Sequence, residues 1–307
     1  MRYKIIFFAF ACLGWSVYTA AQDIDLDKLL DQEIEKKNKD KTEFTEATFK
    51  TTRLINGHSV ESTQPGVLDL KVSHRFNPLN GGPYEFFGLD GASMRIGFDY
   101  GISDRLSIGI GRSTFEKQFD GFAKYRLLRQ STGKVNMPLS VTMVSTVMLK
   151  TKKETVDSIK RNFSDNVSFA HQLIIARKFS DEISLQIMPT MVHYNIVPLA
   201  TIPNDLFSMG IGGRVKITKR VSINAEYYYQ LPGYTLPGTH NSLSLGVDIE
   251  TGGHVFQLHF TNSTGMTERT FINETTGQWK LGDDGGIRFG FNIARVFTVK
   301  KPKPINL

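Results

Sequence analysis

The chain has 307 residues, of which 40% are hydrophobic and 22% charged, and its formal net charge is +7. A charge this mild, with no basic run interleaved with aromatic residues, excludes nucleic-acid binding as the main function. The mean hydropathy of −0.21 does not exclude a membrane β-barrel, because only alternate residues of its strands face lipid.

The first 21 residues have the pattern of a secretory signal peptide. Arg2 and Lys4 precede an apolar run from Ile5 to Leu13, and small residues at 19–21 form a cleavage site. The apolar run is too short for a membrane anchor. Cys12, the single cysteine, lies inside this run rather than after it, which disfavours a lipoprotein. We therefore expect an exported protein without disulfides.

Residues 22–65 are predicted to form an N-terminal periplasmic helix and extension. Leucines and isoleucines at helical spacing, with charges on the other faces, predict a helix from Asp23 to Lys41. Phe49 to Ile55 is β-like but ambiguous. It fits a plug, a periplasmic strand or part of a different strand register.

Residues 66–300 are predicted to form a transmembrane antiparallel β-barrel of about twelve strands, followed by a tail at 301–307. Phe207 to Glu250 shows the pattern best, because three runs each have one apolar face and one small or polar face. The predicted strands are 66–76, 92–101, 106–111, 119–128, 139–149, 167–179, 183–196, 207–218, 221–229, 242–250, 256–260 and 287–299.

The connections between these strands alternate in length. Lys219-Arg220 is a two-residue turn, whereas Gln230 to His240 is a long connection with two prolines. Outer-membrane barrels have short periplasmic turns and long external loops, and an even strand number leaves both ends in the periplasm. A soluble β-sandwich is disfavoured, because the apolar face persists through nearly every strand. The predicted location is the outer membrane, with the lipid bilayer as partner.

Several strings resemble a family of uncharacterised outer-membrane β-barrel proteins of Bacteroidota, from about Phe49 to the C-terminus. The resemblance implies a membrane barrel and supplies no activity. The strings that carry it are Ser73-His74-Arg75-Phe76, Phe87-Gly88-Leu89-Asp90-Gly91-Ala92, Asp120-Gly121-Phe122 with Lys124-Tyr125-Arg126-Leu127-Leu128-Arg129, His171-Gln172, Asn224-Ala225-Glu226-Tyr227-Tyr228-Tyr229, Gly246-Val247-Asp248-Ile249-Glu250-Thr251-Gly252-Gly253-His254, and His259-Phe260-Thr261-Asn262-Ser263.

The inward parity of the strands carries a set of charged residues. Charges inside a barrel must be paired or hydrated. The favoured interpretation is an ionic network that braces the interior, and the alternative is a pore whose excess of cations selects anionic solutes. The residues predicted to form this network are Arg95, Asp99, Lys124, Arg126, Arg214, Lys216, Glu226, Asp248, Glu250, His259 and Arg288.

His240 and Ser242 have the spacing that some outer-membrane lipid hydrolases use. The strand pattern points Ser242 inward, however, and we favour a polar strand start. The seven histidines form no metal-ligand pattern, and the sequence contains no phosphate loop or dinucleotide fingerprint. We therefore expect no cofactor, no metal and no enzymatic activity.

The sequence leaves three functions open. The first is a passive channel or binding module for small polar, including anionic, solutes. The second is a structural or docking barrel whose lumen is filled. The third and least favoured is an outer-membrane lipid hydrolase at His240 and Ser242.

Overall fold

A computed structural model describes residues 41–152, 162–282 and 285–300. The predicted signal peptide, the tail at 301–307 and the predicted helix, apart from Lys41, lie outside these residues. None of the helices in the described ranges is long and apolar enough to cross a membrane.

Fourteen strands are present in the described residues, because alternation between apolar and small or polar residues recurs along the chain. Short helices lie at Leu79–Gly88, Phe115–Lys117, Ser164–Asn166 and Arg269–Asn273. The strands are β1 (Thr42–Phe44), β2 (Val67–Pro78), β3 (Ala92–Gly101), β4 (Leu106–Ser113), β5 (Phe119–Leu128), β6 (Ser131–Gly133), β7 (Ser140–Leu149), β8 (Val167–Lys178), β9 (Ile183–Tyr194), β10 (Asp205–Lys216), β11 (Val221–Gln230), β12 (Ser242–Thr251), β13 (His254–Thr261) and β14 (Arg288–Thr298).

Twelve of these strands form one closed antiparallel barrel, in which each strand pairs with the next barrel strand along the chain. The barrel closes where β14 pairs with β2, with Thr298 opposite Val67. β1 and β6 form a separate two-stranded sheet. The twelve-stranded fold predicted from the sequence is confirmed.

The two faces of the wall differ as the period-2 pattern requires. In β10, Phe207, Met209 and Ile211 are exposed on the outer surface, whereas Ser208 and Gly210 are buried. In water this apolar belt would be exposed. In a membrane, the lipid bilayer covers it.

The barrel has one end with short connections and one with long connections. The short-turn end includes residues 179–182 and 252–253, whereas the long-loop end includes 231–241 and 262–287. The chain enters β2 and leaves β14 at the short-turn end, because an even number of antiparallel strands returns to its starting side.

Candidate functional site

The barrel interior is filled by a segment that precedes the first barrel strand. This segment, which we call the plug, comprises residues 47–65. Every residue from 51 to 60 is buried, including Leu54 and Ile55 at 1% and 2% exposure. Of the three interpretations offered for Phe49 to Ile55, the structure shows a plug. Residues 48–60, apart from Lys50, are buried within the barrel, although the sequence interpretation assigned 22–65 to a periplasmic helix and extension.

The plug is a hairpin inserted from the short-turn end. Leu54 N donates a hydrogen bond to Gly57 O at 2.8 Å, and Ser59 N donates to Thr52 O at 3.0 Å. The chain therefore turns around Asn56 and runs back to Gly66, where β2 follows. A turn buried in the interior leaves backbone N–H groups that need acceptors, and the barrel wall must supply them.

Glu226 on β11 accepts three of those N–H groups. Its carboxylate oxygens lie 3.2 Å from Ile55 N, 2.7 Å from Asn56 N and 3.1 Å from Gly57 N. Glu226 itself is 2% exposed. A buried carboxylate is stabilised by several backbone donors converging on it, so Glu226 and the plug turn satisfy each other.

Asn56, at the tip of the plug, contacts two further wall strands. Its Oδ1 accepts hydrogen bonds from Arg75 Nε at 3.2 Å and Nη2 at 2.7 Å. Its Nδ2 donates to Ser244 Oγ at 2.9 Å. Arg75 also donates to Asn292 Oδ1 at 2.9 Å. The guanidinium is thus held by neutral oxygens from the plug and the wall.

Close packing fixes the residue at position 57. A Cβ atom added to Gly57 would lie 2.0 Å from the hydroxyl oxygen of Tyr228. Tyr228 is fully buried, and its hydroxyl donates to Met188 Sδ at 3.2 Å. Only glycine fits between the plug turn and this side chain.

Plug carbonyl groups are also bonded by the wall, from five different strands. The donors are side chains on β5, β7, β9, β13 and β14, so the plug is held around the barrel circumference. These bonds are Lys124 Nζ to Thr52 O (3.2 Å), Thr142 Oγ1 to Val60 O (3.2 Å), Gln186 Nε2 to His58 O (2.9 Å), Gln257 Nε2 to Leu54 O (2.7 Å) and Asn292 Nδ2 to Ile55 O (3.0 Å).

Several wall charges are paired with each other. Lys71 Nζ lies 2.5 Å from carboxylate oxygens of both Asp69 and Asp99. Arg95 donates through Nε to Asp120 Oδ1 at 2.9 Å, and its Nη2 pairs with Asp120 Oδ2. In both groups each buried charge is compensated by an opposite one.

Glycine on the inner face makes room for the Arg95 pair. A Cβ atom on Gly111 would lie 2.2 Å from Arg95 Nη2. The guanidinium therefore lies flat across the neighbouring strand, which explains in part why the inward parity is rich in glycine.

The structure places all of the predicted network residues at least half-buried, and it separates them by role. Asp99, Lys124, Glu226 and Glu250 contact the plug, Glu250 through an ion pair with Lys50. Arg95 pairs with Asp120, and Asp248 accepts a hydrogen bond from Gln257. The remaining network residues lie elsewhere on the wall or near its ends, namely His259, Arg214, Arg288, Arg126 and Lys216.

A second segment fills the interior from the long-loop end. Residues 262–282, which we call the inward loop, include a buried π-helix whose Phe271 and Ile272 are fully buried. Glu268 Oε1 of this loop lies 3.2 Å from Arg53 Nη1 and 3.3 Å from His58 Nε2. The plug and the inward loop thus meet through ionisable groups inside the barrel.

The long-loop end is further covered by an apolar cluster. Met148, Val192 and Leu206 from the wall pack with Leu236 of the 231–241 connection, and Val197 packs against them. Two cavities of about 760 and 490 Å³ lie instead at the short-turn end, one on either side of the plug. The cavities of the barrel thus lie at the short-turn end, and the long-loop end is covered.

Ser242 and His240 do not form a reacting pair within the described residues. Ser242 points inward and is 1% exposed, and its Oγ has no hydrogen-bond partner. His240 lies in the preceding connection and donates its backbone N–H to Thr275 O at 2.7 Å.

Sequence reasoning missed several residues of the interior network. Lys71 and Arg75 share the inward parity of β2 and could have been found from that alternation. Arg53, His58 and Glu268 could not, because they lie in irregular segments whose sequence shows no period.

A closed twelve-stranded barrel with an apolar outer belt and a filled polar interior defines a membrane β-barrel protein. The chain belongs to the membrane-bound beta barrel domain family DUF5777, whose model matches residues 49–297. The match begins at Phe49, so the family region includes most of the plug.

Comparison with solved structures finds similar barrels at low sequence identity. The NanC porin matches with a TM-score of 0.46 at 6% identity, over 75% of this chain and 98% of that one. The KdgM porin has a TM-score of 0.43 at 9% identity, over 75% and 99%. An outer membrane channel from Pseudomonas putida F1 has a TM-score of 0.42 at 10% identity, over 77% and 97%. Comparison with curated proteins gives no match.

Proposed function

We propose that this protein is an outer-membrane barrel that its own plug closes at rest, and that it passes small polar solutes only when the plug moves. The predicted signal peptide and the membrane-barrel family support the outer membrane as its location. The Bacteroidota origin and the export signal stay predictions. In this orientation the short-turn end, where the plug enters, faces the periplasm.

The plug is the observation that carries the proposal. It occupies the interior from the short-turn end to its contact with Glu268, and it is held mainly by hydrogen bonds between wall side chains and its backbone. Hydrogen bonds in a polar interior can be exchanged for bonds to water at modest net cost, about 1 kcal/mol each. A polar attachment of this kind suits a movable gate better than a fused core.

The buried charges support bracing rather than strong anion selection. Among the described residues the interior holds seven buried arginines and lysines against six buried carboxylates, so the charge is almost balanced. They are Arg53, Lys71, Arg75, Arg95, Lys124, Arg214 and Arg288, and Asp69, Asp99, Asp120, Glu226, Asp248 and Glu268.

A docking barrel that never opens is the second candidate. The apolar plug residues Phe49, Leu54 and Val60 favour it, because they pack in one buried cluster with Ile272 of the inward loop. Burial of such side chains opposes release of the plug by about 1.5–3 kcal/mol each. The hydrolase at Ser242 has no support in the geometry, since its hydroxyl lies inside the barrel.

Single-channel conductance in planar bilayers tests the gate. Asn56 and Ser244 are joined by a hydrogen bond of 2.9 Å, and an Asn56→Cys/Ser244→Cys variant can be oxidised to tie the plug to β12. Wild type should be closed most of the time. The reduced double variant should open more often, because the three hydrogen bonds of the Asn56 side chain are lost, and oxidation should close it again.

Reduced and oxidised protein form a matched pair, because their sequence is identical. Equal conductance of the two forms, once the disulfide is verified by mass spectrometry, would show that the plug is not the barrier. A folded Glu226→Gln protein that stays silent together with the reduced double variant would exclude gating and leave the docking barrel.

A further inference from the structure

The larger of the two cavities beside the plug has the features of a binding site. This cavity of about 760 Å³, which we call the vestibule, lies between the plug with the two residues before it (residues 45–48 and 60–65) and the wall at Arg126, Arg129 and Ser140. It opens at the short-turn end, whereas the long-loop end is covered by apolar packing. A solute can therefore reach it from one side of the membrane.

Among the described residues, two arginines in the vestibule have no carboxylate oxygen at salt-bridge distance. Arg126 donates through Nη1 to the backbone oxygen of Asp104 at 3.1 Å, and this is its one side-chain hydrogen bond among the described residues. The guanidinium carbon of Arg129 lies 4.3 Å from the ring centroid of Phe44, which positions it without neutralising it. Most of the donors of both guanidinium groups have no hydrogen-bond partner in the part of the chain that the structure describes, and they can bond a ligand.

The acidic residues of the vestibule are less available than these arginines. Glu61 Oε1 accepts the backbone N–H of Thr48 at 2.7 Å and that of Phe49 at 3.4 Å. Glu46 and Asp104 are exposed, so water and salt screen their charges. The half-buried Arg126 is screened less than these two exposed carboxylates.

Hydroxyl-bearing residues complete the lining. Ser62 and Thr63 of the plug and Ser140 of the wall border the vestibule. The Ser62 Oγ and Thr63 Oγ1 atoms are themselves buried, so these hydroxyls present no surface to a solute. Ser140 Oγ accepts a hydrogen bond from Gln130 N at 2.9 Å. The contacts that the vestibule offers to a solute are therefore those of the two guanidinium groups.

We propose that the vestibule binds a small oxyanion, a carboxylate or phosphate, through the guanidinium groups of Arg126 and Arg129. Arginine donors in a planar fork suit both oxyanions. The inference rests on the proposed function for the side from which solute arrives, and it names the solute class. It does not require the plug to move.

Calorimetric titration of the full-length exported protein in detergent tests the site. The probes are inorganic phosphate, glucose 6-phosphate and succinate, with glucose as the uncharged comparison. Phosphate, succinate and glucose 6-phosphate should bind saturably at low salt, and glucose should not bind. Arg126→Gln and Arg129→Gln should each weaken binding about tenfold, the equivalent of one charge-assisted hydrogen bond.

Arg220→Gln is the matched control. Arg220 is an exposed arginine in the β10–β11 turn at the same end, outside the vestibule lining. The Arg220→Gln substitution removes the same charge as the vestibule substitutions and should leave binding unchanged. Equal weakening by Arg220→Gln would reduce the effect to net charge and overturn the site, as would wild-type protein that binds no probe while folded. Binding without conductance in the plug variants would leave the site intact and remove the gate.

Discussion

At the scale of single residues, the buried carboxylate of Glu226 supplies the hydrogen-bond acceptors that backbone carbonyl groups supply in a helix or sheet. The plug turn has no partner strand for the N–H groups of Ile55, Asn56 and Gly57, and one side chain accepts all three. Burying a carboxylate is expensive unless such donors surround it. The carboxylate and the plug N–H groups therefore stabilise each other. Losing either should leave the other as a buried polar group without a partner, which costs free energy.

Replacing Glu226 by Gln should loosen the plug without dissolving the barrel. One acceptor oxygen becomes an NH₂ group that faces backbone N–H donors, which should cost about 2–3 kcal/mol. Proteolysis of the plug after Lys50 and Arg53 in folded protein measures the release. Glu250→Gln, at the half-exposed ion pair with Lys50, should change the cleavage rate much less. Equal effects of the two substitutions would contradict the three-donor account.

Gly57→Ala should destabilise the closed state through a clash. The added Cβ would lie 2.0 Å from the Tyr228 hydroxyl oxygen, and overpacking of this kind typically costs about 1–3 kcal/mol. Thermal unfolding should show a lowered transition temperature. Tyr228→Phe in the same protein removes the oxygen and should restore part of the loss, so the absence of any rescue would place the strain elsewhere.

At the scale of elements, two irregular segments from opposite ends of the barrel meet at one side chain. Glu268 of the inward loop approaches both Arg53 and His58 of the plug. His58 packs edge-on against Phe122, with ring centroids 4.6 Å apart. Movement of either segment must break these contacts, so the two closures are physically coupled.

Acid should release the plug through His58. Burial holds the pKa of this imidazole well below its ordinary value, with the nearby cations adding to the effect. A released His58 recovers a pKa of about 6.5 and binds more protons than the closed state, so closure loses stability as pH falls through that value. The groups facing the ring are Arg53, Lys71, Arg95, Lys124 and Glu268.

Plug proteolysis measured from pH 7.5 to 5.5 checks this sign. Cleavage should accelerate below about pH 6.5 in wild type, and the acceleration should disappear in a His58→Asn protein. A pH response that persists in His58→Asn would assign the titration to another group.

The strands could be predicted because each one repeats two patterns, one on its outer face and one on its inner face. Phe207, Met209 and Ile211 repeat an apolar outer face, while Ser208 and Gly210 repeat a small inner one. The plug shows no such period. Its Thr, Asn and Arg residues are buried against a polar wall, so the usual link between polarity and exposure is reversed. Which wall charge meets which plug atom depends on strand register, which no local pattern specifies.

At the scale of the whole molecule, the asymmetry of the two ends decides what the barrel can do. The long-loop end is packed with apolar side chains such as Leu236, whereas the short-turn end holds both cavities and the entry of the plug. Both cavities are therefore reached from the same end of the barrel. Transfer then needs both the plug and the inward loop to give way.

Replacing residues 48–63 by a short Gly/Ser linker should leave a barrel that folds and conducts. The strands pair only with each other, and the wall charges that held the plug, such as Glu226 and Lys124, can be hydrated in a water-filled lumen. We expect unchanged strand content by circular dichroism, a lower unfolding temperature, and steady conductance in planar bilayers. Loss of the apolar plug residues accounts for the lowered stability. A folded but silent deletion variant would show that the inward loop alone seals the barrel.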